Sequence, residues 1–295
     1  MKLLGEYQNG NYNISIFSDG TKIRETINPD DDKFISEFPE CMDVKITNYC
    51  DIGCPYCHEN STTNGLHGDI LQVDFINSLQ PFTELAIGGG NPLSHPDLID
   101  FLKVLKAKNI IANLTVNQKH FINNQLMLQY LVHEKFIYGL GVSLTKTTDE
   151  LVMNLNMFPN AVLHIINGVV NIEDLQKLYD QDFKVLILGY KEFKRGNDYY
   201  SNRVERNKQQ LYRELPNIIK HFKVVSFDNL AIEQLNVKRL MSNKQWNEFY
   251  MGDDGQFTMY IDMVNKEFAR CSVSDKRHKL MNNIKDMFQI VKNEK

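Results

Sequence analysis

The stretch KITNYCDIGCPYCHENS, residues 45–61, places three cysteines, Cys50, Cys54 and Cys57, in one short segment. It follows DVKIT (residues 43–47), an alternating apolar run that reads as a β-strand. Gly53, Pro55 and the polar neighbours mark the cysteine segment itself as a loop. Three is an uneven number for the common uses of clustered thiols. A structural zinc takes four protein ligands, and disulfides take cysteines in pairs. Three readings follow. The thiols are a reduced, packed cluster; or they hold zinc with His58 or His67 as fourth ligand; or they hold an iron–sulfur cluster whose fourth iron stays open to a small molecule.

Beyond this loop the chain alternates short apolar runs with helical patterns. After DVKIT come ELAIGG (84–89), IIANLTV (110–116), YGLGVSL (138–144), AVLHIING (161–168) and KVLILGY (184–190). Between them lie segments such as HPDLIDFLKVLKAKN, where Leu98, Ile99, Phe101, Leu102 and Leu105 share one face. About six strand–helix repeats predict a parallel sheet, either open and doubly wound or curled towards a barrel. Functional residues are then expected at the carboxyl ends of the strands, where the cysteines lie.

Upstream, NYNISIF, SDGT and KIRETI predict a hairpin over residues 11–27. Downstream of about residue 224 the sequence predicts a helix around NKQWNEFY, a hairpin in QFTMYIDMVNKEFARCS and a basic amphipathic C-terminal helix. With 295 residues and a net charge of −4, the chain suits one large α/β domain with appendages, or two smaller ones. Nothing in the bulk charge points to nucleic acid. No run is long enough for a membrane span, and the start is too weakly apolar for a signal peptide. Five cysteines, mostly clustered, do not form a secreted disulfide framework, so a reducing cytoplasm is the expected setting.

The spacing CxxxCxxC, with an aromatic residue (Tyr56) just before the last cysteine, resembles the signature of the radical SAM superfamily. The resemblance extends over about residues 42–190. It implies an α/β fold with a partial (β/α)6 TIM-like barrel as the core (42–223); the flanking patterns add an N-terminal β-hairpin extension (1–41) and a C-terminal α+β extension (224–295), expected to close the barrel mouth. The resemblance also implies a [4Fe–4S] cluster on Cys50, Cys54 and Cys57, with S-adenosyl-L-methionine (SAM) on the open iron. One electron then cleaves SAM to a 5′-deoxyadenosyl radical, which abstracts hydrogen from a substrate.

In such proteins a GGE-type motif ends the second strand; here it reads Gly89, Gly90, Asn91, with Asn91 where Glu is usual. Asn91 keeps hydrogen-bonding capacity but carries no charge. By the same resemblance Tyr56, Asn117, Ser143, Gly189 and Tyr190 are expected around SAM, Ser143 at the ribose and the Gly189–Tyr190 segment along adenine. In some radical SAM epimerases a lone cysteine donates hydrogen to the substrate radical, and Cys271 is the candidate for that role. Expected partners are an electron donor such as flavodoxin or ferredoxin, and a substrate that is either a peptide or protein side chain or a nucleotide or other small metabolite. Lys191, Lys194, Arg195, Arg270, Lys276 and Arg277 either bind an acidic substrate or form a solvated face. Alternatives are a zinc-stabilised binding protein without catalysis, and a degenerate radical SAM fold that binds SAM only.

Overall fold

The computed structural model describes residues 2–294. Its first sheet is an antiparallel meander of β1 (Leu3–Asn9), β2 (Tyr12–Phe17) and β3 (Lys22–Thr26). In β2 the period of two is plain: Tyr12, Ile14 and Ile16 are buried, while Asn13 and Ser15 are not. β2 and β3 form the hairpin expected over residues 11–27. β1 was not anticipated; its pattern LLGEYQN lacks a clean alternation, and it is recruited by pairing with β2.

From Cys41 onward strand and helix alternate. The order is β4 (Cys41–Thr47), β5 (Glu84–Gly89), α1 (Leu98–Ala107), β6 (Ile111–Asn117), α2 (Gln118–Asn123), α3 (Gln125–His133) and β7 (Gly139–Ser143). Then follow α4 (Asp149–Leu155), β8 (Ala161–Ile166), α5 (Ile172–Gln176), β9 (Lys184–Leu188), α6 (Arg195–Tyr199), α7 (Asn202–Ile218) and β10 (Val224–Phe227). The last part comprises α8 (Asn229–Gln234), α9 (Asn243–Phe249), β11 (Thr258–Asp262), β12 (Glu267–Ala269), β13 (His278–Lys279) and α10 (Ile284–Lys292).

These strands form one ten-stranded sheet. β4 to β10 lie side by side in chain order and parallel; β11 joins the free side of β4, also parallel, and β12 and β13 continue antiparallel. The edges β10 and β13 are not paired with each other, so the sheet is an open partial barrel. Alternation divides its two faces. Val44, Ile87, Leu114, Val142, Leu163 and Ile187 point outward into the main core, where they meet helix residues such as Leu102, Leu128, Leu151 and Leu175. The inner face carries Asp43, Lys45, Asn113, Thr115, Ser143 and His164; of these only Lys45 is fully buried. In α1, Leu98, Phe101, Leu102 and Leu105 are the buried stripe, as the 3.6-residue period predicts.

The meander packs where β4 and β5 begin, at the end of the barrel opposite the cysteines. Tyr12, Ile14 and Ile16 form an apolar cluster with Ile111 and Phe257. Glu40, immediately before β4, is 1% exposed and is surrounded by donors from the meander. The Tyr12 hydroxyl donates to it at 2.6 Å, Arg24 at 2.9 Å, and the Lys22 ammonium lies 3.3 Å away. Lys22 also reaches Glu84, the first residue of β5, at 2.6 Å. A carboxylate so enclosed is tolerable only because it is neutralised on several sides. Glu40→Ala leaves Arg24 short of its buried partner and is expected to lower stability by about 3–5 kcal/mol. Urea denaturation followed by circular dichroism checks this, and a midpoint like that of the unmodified protein would show that the meander docks by its apolar face alone.

Candidate active site

β4 ends at Thr47 and the chain enters the cysteine loop at the carboxyl end of the sheet. The loop folds back on itself: the amides of Asn48 and Cys50 donate to the carbonyls of Leu66 and Thr62, and the Cys57 amide donates to the Cys54 carbonyl at 3.2 Å. The neighbouring strand end holds it in place. The Gly90 amide donates to Thr47 O at 2.7 Å and the Asn91 amide to Tyr49 O at 2.6 Å. This approach explains the glycines. A Cβ on Gly90 would sit 2.1 Å from Tyr49 O, and Gly89, at φ +117°, would bring one within 2.4 Å of Thr47 O. The Asn91 side chain accepts from the Leu93 amide and caps the turn Pro92–Ser94.

All five cysteines are free, and Cys50, Cys54 and Cys57 are each partly accessible. Burial raises the Cys54 thiol to about 11, helped by the neighbouring Cys57 and Cys50. Burial also raises Cys50, against the opposing pull of the Ile52 and Gly53 amides. At the end of β6, Asn117 donates through Nδ2 to Cys54 Sγ at 3.6 Å, while its Oδ1 accepts from the Lys119 amide and caps α2. Asp51 and His120 pair at 2.6 Å and pin the loop to α2. Among the described residues, Cys50, Asp51 and His120 bring three ligand atoms within 4.8 Å of one another.

On the far side the loop meets the segment that follows β9. Tyr56 packs edge-on against Tyr199 with ring centroids 5.6 Å apart. The Arg195 guanidinium donates to Ser61 O at 2.7 Å. Lys191 donates to Ser272 Oγ at 2.8 Å and lies 3.4 Å from His58 Nε2. Burial and the ammonium groups of Lys191, Lys194 and Lys45 hold His58 well below its usual pKa, so it stays neutral. Lys191 and Arg195 are therefore attached to the cysteine-loop region, and Lys194 approaches Glu59 at 4.0 Å. Sequence alone left all three between a substrate contact and a solvated face.

Glu59 and Lys45 form a further support that the sequence reading did not assign. The Lys45 ammonium, 2% exposed, lies 3.0 Å from Glu59 and 2.9 Å from Asp262 of β11; the Tyr260 hydroxyl donates to Glu59 at 3.1 Å. Burial works against the Lys45 charge, but the two carboxylates outweigh it and raise its pKa. The signal in the sequence was a lysine at an inward position of a strand whose outward residues, Met42, Val44 and Ile46, are apolar.

The remaining predicted residues divide. Ser143 ends β7 between Asn117 and His164 on adjacent strands. His164, pushed down to about 4 by burial, faces the gap at Gly141, where an added Cβ would meet its ring at 2.4 Å. Gly189 donates its amide to Asp228, which also caps α8. Tyr190 is 2% exposed; its hydroxyl donates to Gly196 O, and its main chain exchanges two hydrogen bonds with the Gln234 side chain. Its ring is thus enclosed. Cys271 adjoins Ser272, the partner of Lys191, and its thiol is raised by burial within reach of Asp254 and Lys191. Asp43, on the inner face of β4, is also raised by burial, with Lys191 opposing and Asp254, Asp228 and Glu59 adding to it. These groups bring Cys271 to the same side of the barrel as the cysteine loop.

The glycine geometry gives a paired prediction. Gly90→Ala is expected to displace the loop and reduce iron uptake on anaerobic reconstitution. Gly88→Ala, whose nearest neighbour would be Thr115 Cβ at 3.9 Å, is expected to load normally. Iron and sulfide assays on the two variants read the difference; equal loading would remove the close-approach account.

No family model matches the sequence. A PqqA peptide cyclase from Ruegeria pomeroyi is 30% identical over 84 residues, 26% of this chain and 22% of the cyclase. Crystal structures of SuiB from Streptococcus suis share the fold at 14% identity. The one bound to precursor peptide SuiA gives a TM-score of 0.59, covering 86% of this chain and 65% of SuiB. The one bound to S-adenosylmethionine gives 0.56, covering 83% and 64%. The chain thus spans just under two thirds of SuiB in these two structures, and the matched stretch about a fifth of the cyclase. The donor set here suits an iron–sulfur cluster: three thiols on one loop at the sheet's carboxyl end, an amide N–H on one of them, and a buried, unpartnered Arg195 Nε alongside. The chain shares with SuiB the open parallel barrel, and it carries the CxxxCxxC loop at the carboxyl end of that sheet.

Proposed function

We propose that this chain is a radical SAM enzyme that modifies a peptide. The observation that carries the reading is the three-thiol loop at the carboxyl end of an open parallel barrel, facing an inner surface that is polar and partly accessible. Cys50, Cys54 and Cys57 would hold a [4Fe–4S] cluster, with SAM on the iron they leave free. When bound, these groups supply one-electron cleavage of SAM and a carbon radical able to take a hydrogen atom.

The chain's own residues supply the setting. Asn117 directs an N–H at Cys54, and Gly89 and Gly90 allow the second strand end to lie against the loop. Asn91, Ser143, Gly189, Tyr190 and Tyr56 are proposed to shape the SAM site, Tyr190 through the fold of its segment since its ring is enclosed. The zinc alternative is disfavoured by the engagement of its two candidate histidines: His67 with Thr47 Oγ1 at 2.9 Å, and His58 against Lys191 and Glu59. A peptide is favoured over a nucleotide because the proteins this chain resembles are a peptide cyclase and a SuiB solved with its precursor peptide. Cys271 is proposed as hydrogen donor to the substrate, its thiol kept protonated by burial beside Asp254. A low-potential carrier such as flavodoxin or ferredoxin, in a reducing cytoplasm, would provide the electron. Among the described residues no helix is long and apolar enough to cross a membrane.

Anaerobic reconstitution tests the reading. The protein is expected to take up iron and sulfide and, with dithionite, to convert SAM to 5′-deoxyadenosine; Cys50→Ala, Cys54→Ala and Cys57→Ala are each expected to abolish this. A colourless protein that keeps one zinc and leaves SAM intact would overturn it. Mass spectrometry of candidate peptides treated in D2O then separates outcomes. Loss of two hydrogens marks a crosslink, and uptake of one solvent deuterium marks epimerisation with Cys271 as donor. In the second case Cys271→Ala should stop deuterium uptake; unchanged uptake removes its assigned role.

A further inference from the structure

Arg195 opens α6, the short helix after the sixth parallel strand, and its side chain crosses to the cysteine loop. One of its terminal nitrogens donates to Ser61 O at 2.7 Å, which fixes the guanidinium against the loop four residues beyond Cys57. Its Nε is buried without a partner, as is the Oγ of Ser61. An unpaired guanidinium N–H inside a protein is costly and calls for an acceptor. Cys54 lies within Coulombic reach of the charge. The same helix is fitted closely to the loop: Tyr199 packs on Tyr56, and a Cβ at Gly196 would lie 3.6 Å from Tyr56 O and 2.2 Å from Lys191 O.

We propose that Arg195 is a positioning residue for the three-cysteine site, supplying the fixed positive charge and the N–H that favour retention and reduction of the anionic cluster held there. The inference rests on the cluster reading above. Three thiolates and a bound cluster concentrate negative charge, and reduction adds one more. A nearby cation favours the reduced form, and hydrogen bonds to the sulfurs act in the same sense. Lysine at this position would keep the charge and lose the planar fork.

The test compares reconstituted wild type, Arg195→Gln and Arg195→Lys by iron and sulfide content and by an EPR-monitored redox titration. Glutamine is neutral but still able to donate to Ser61 O, so the loop keeps its tie. At the wild-type midpoint potential, Arg195→Gln is expected to show about a tenfold lower ratio of reduced to oxidised cluster, equivalent to about 59 mV for one electron. Arg195→Lys should recover most of the shift. Loss of iron from Arg195→Gln but not from Arg195→Lys supports the same role through retention. A Gln variant with wild-type iron and midpoint potential overturns the proposal, as do Gln and Lys variants that are equally impaired. Wild type that takes up no iron or sulfide defeats the cluster reading itself, and the role of Arg195 with it.

Discussion

A lysine ammonium cannot be left alone inside a parallel sheet, and the way Lys45 is neutralised organises much of the site. Removing that charge from water costs several kcal/mol unless opposing groups are held close. One carboxylate comes from Glu59, in the loop that carries the three thiols, and the other from Asp262, at the end of β11. The ion triad therefore joins three parts of the chain that are far apart in sequence: the first core strand, the cysteine loop and the C-terminal extension. Asp262 is itself held by the amides of Val264 and Asn265, and Glu59 by the Tyr260 hydroxyl. Such a network adds little stability over an apolar replacement. What it supplies is a fixed geometry, since none of its members can move without stranding a buried charge.

The two ends of the barrel are built on different physics. At the end where the strands begin, the meander closes the barrel with an apolar cluster and the enclosed Glu40, Lys22 and Arg24 group. At the end where the strands finish, loops of the first, second, third and sixth parallel strands converge: the cysteine loop, Gly90–Asn91, Asn117, and the segment from Lys191 to Tyr199. Each contributes a directed polar contact, and the thiols among them remain partly accessible. A parallel sheet makes this division natural, because every strand delivers its outgoing loop to one side.

What was legible in the sequence follows the range of the interactions involved. The six strands from DVKIT to KVLILGY and the apolar stripe of α1 are local patterns, and each is found where its period puts it. The spacing of Cys50, Cys54 and Cys57 is equally local. Less legible were features defined by partners remote in sequence. β1 exists because β2 offers an edge. β10 and β11 extend the parallel sheet on opposite sides although their segments are too short to announce a register. Arg195 looks like any basic surface residue until the fold lays α6 against the loop, and Tyr190 looks like a rim aromatic until its hydroxyl is seen bound to Gly196 O.

Asn91 stands where the motif this chain resembles carries Glu, and it still serves the architecture. Its amide is committed to Tyr49 O and its side-chain oxygen to the Leu93 amide. The first bond holds the end of β5 against the cysteine loop and the second caps the turn that follows, and both need only a peptide N–H and a neutral acceptor. Asparagine is among the preferred residues for such a turn-initiating cap. A residue 8% exposed that carries no charge also avoids a desolvation cost that glutamate would bring to the same place. The loss of the acidic group therefore leaves the attachment of the loop intact.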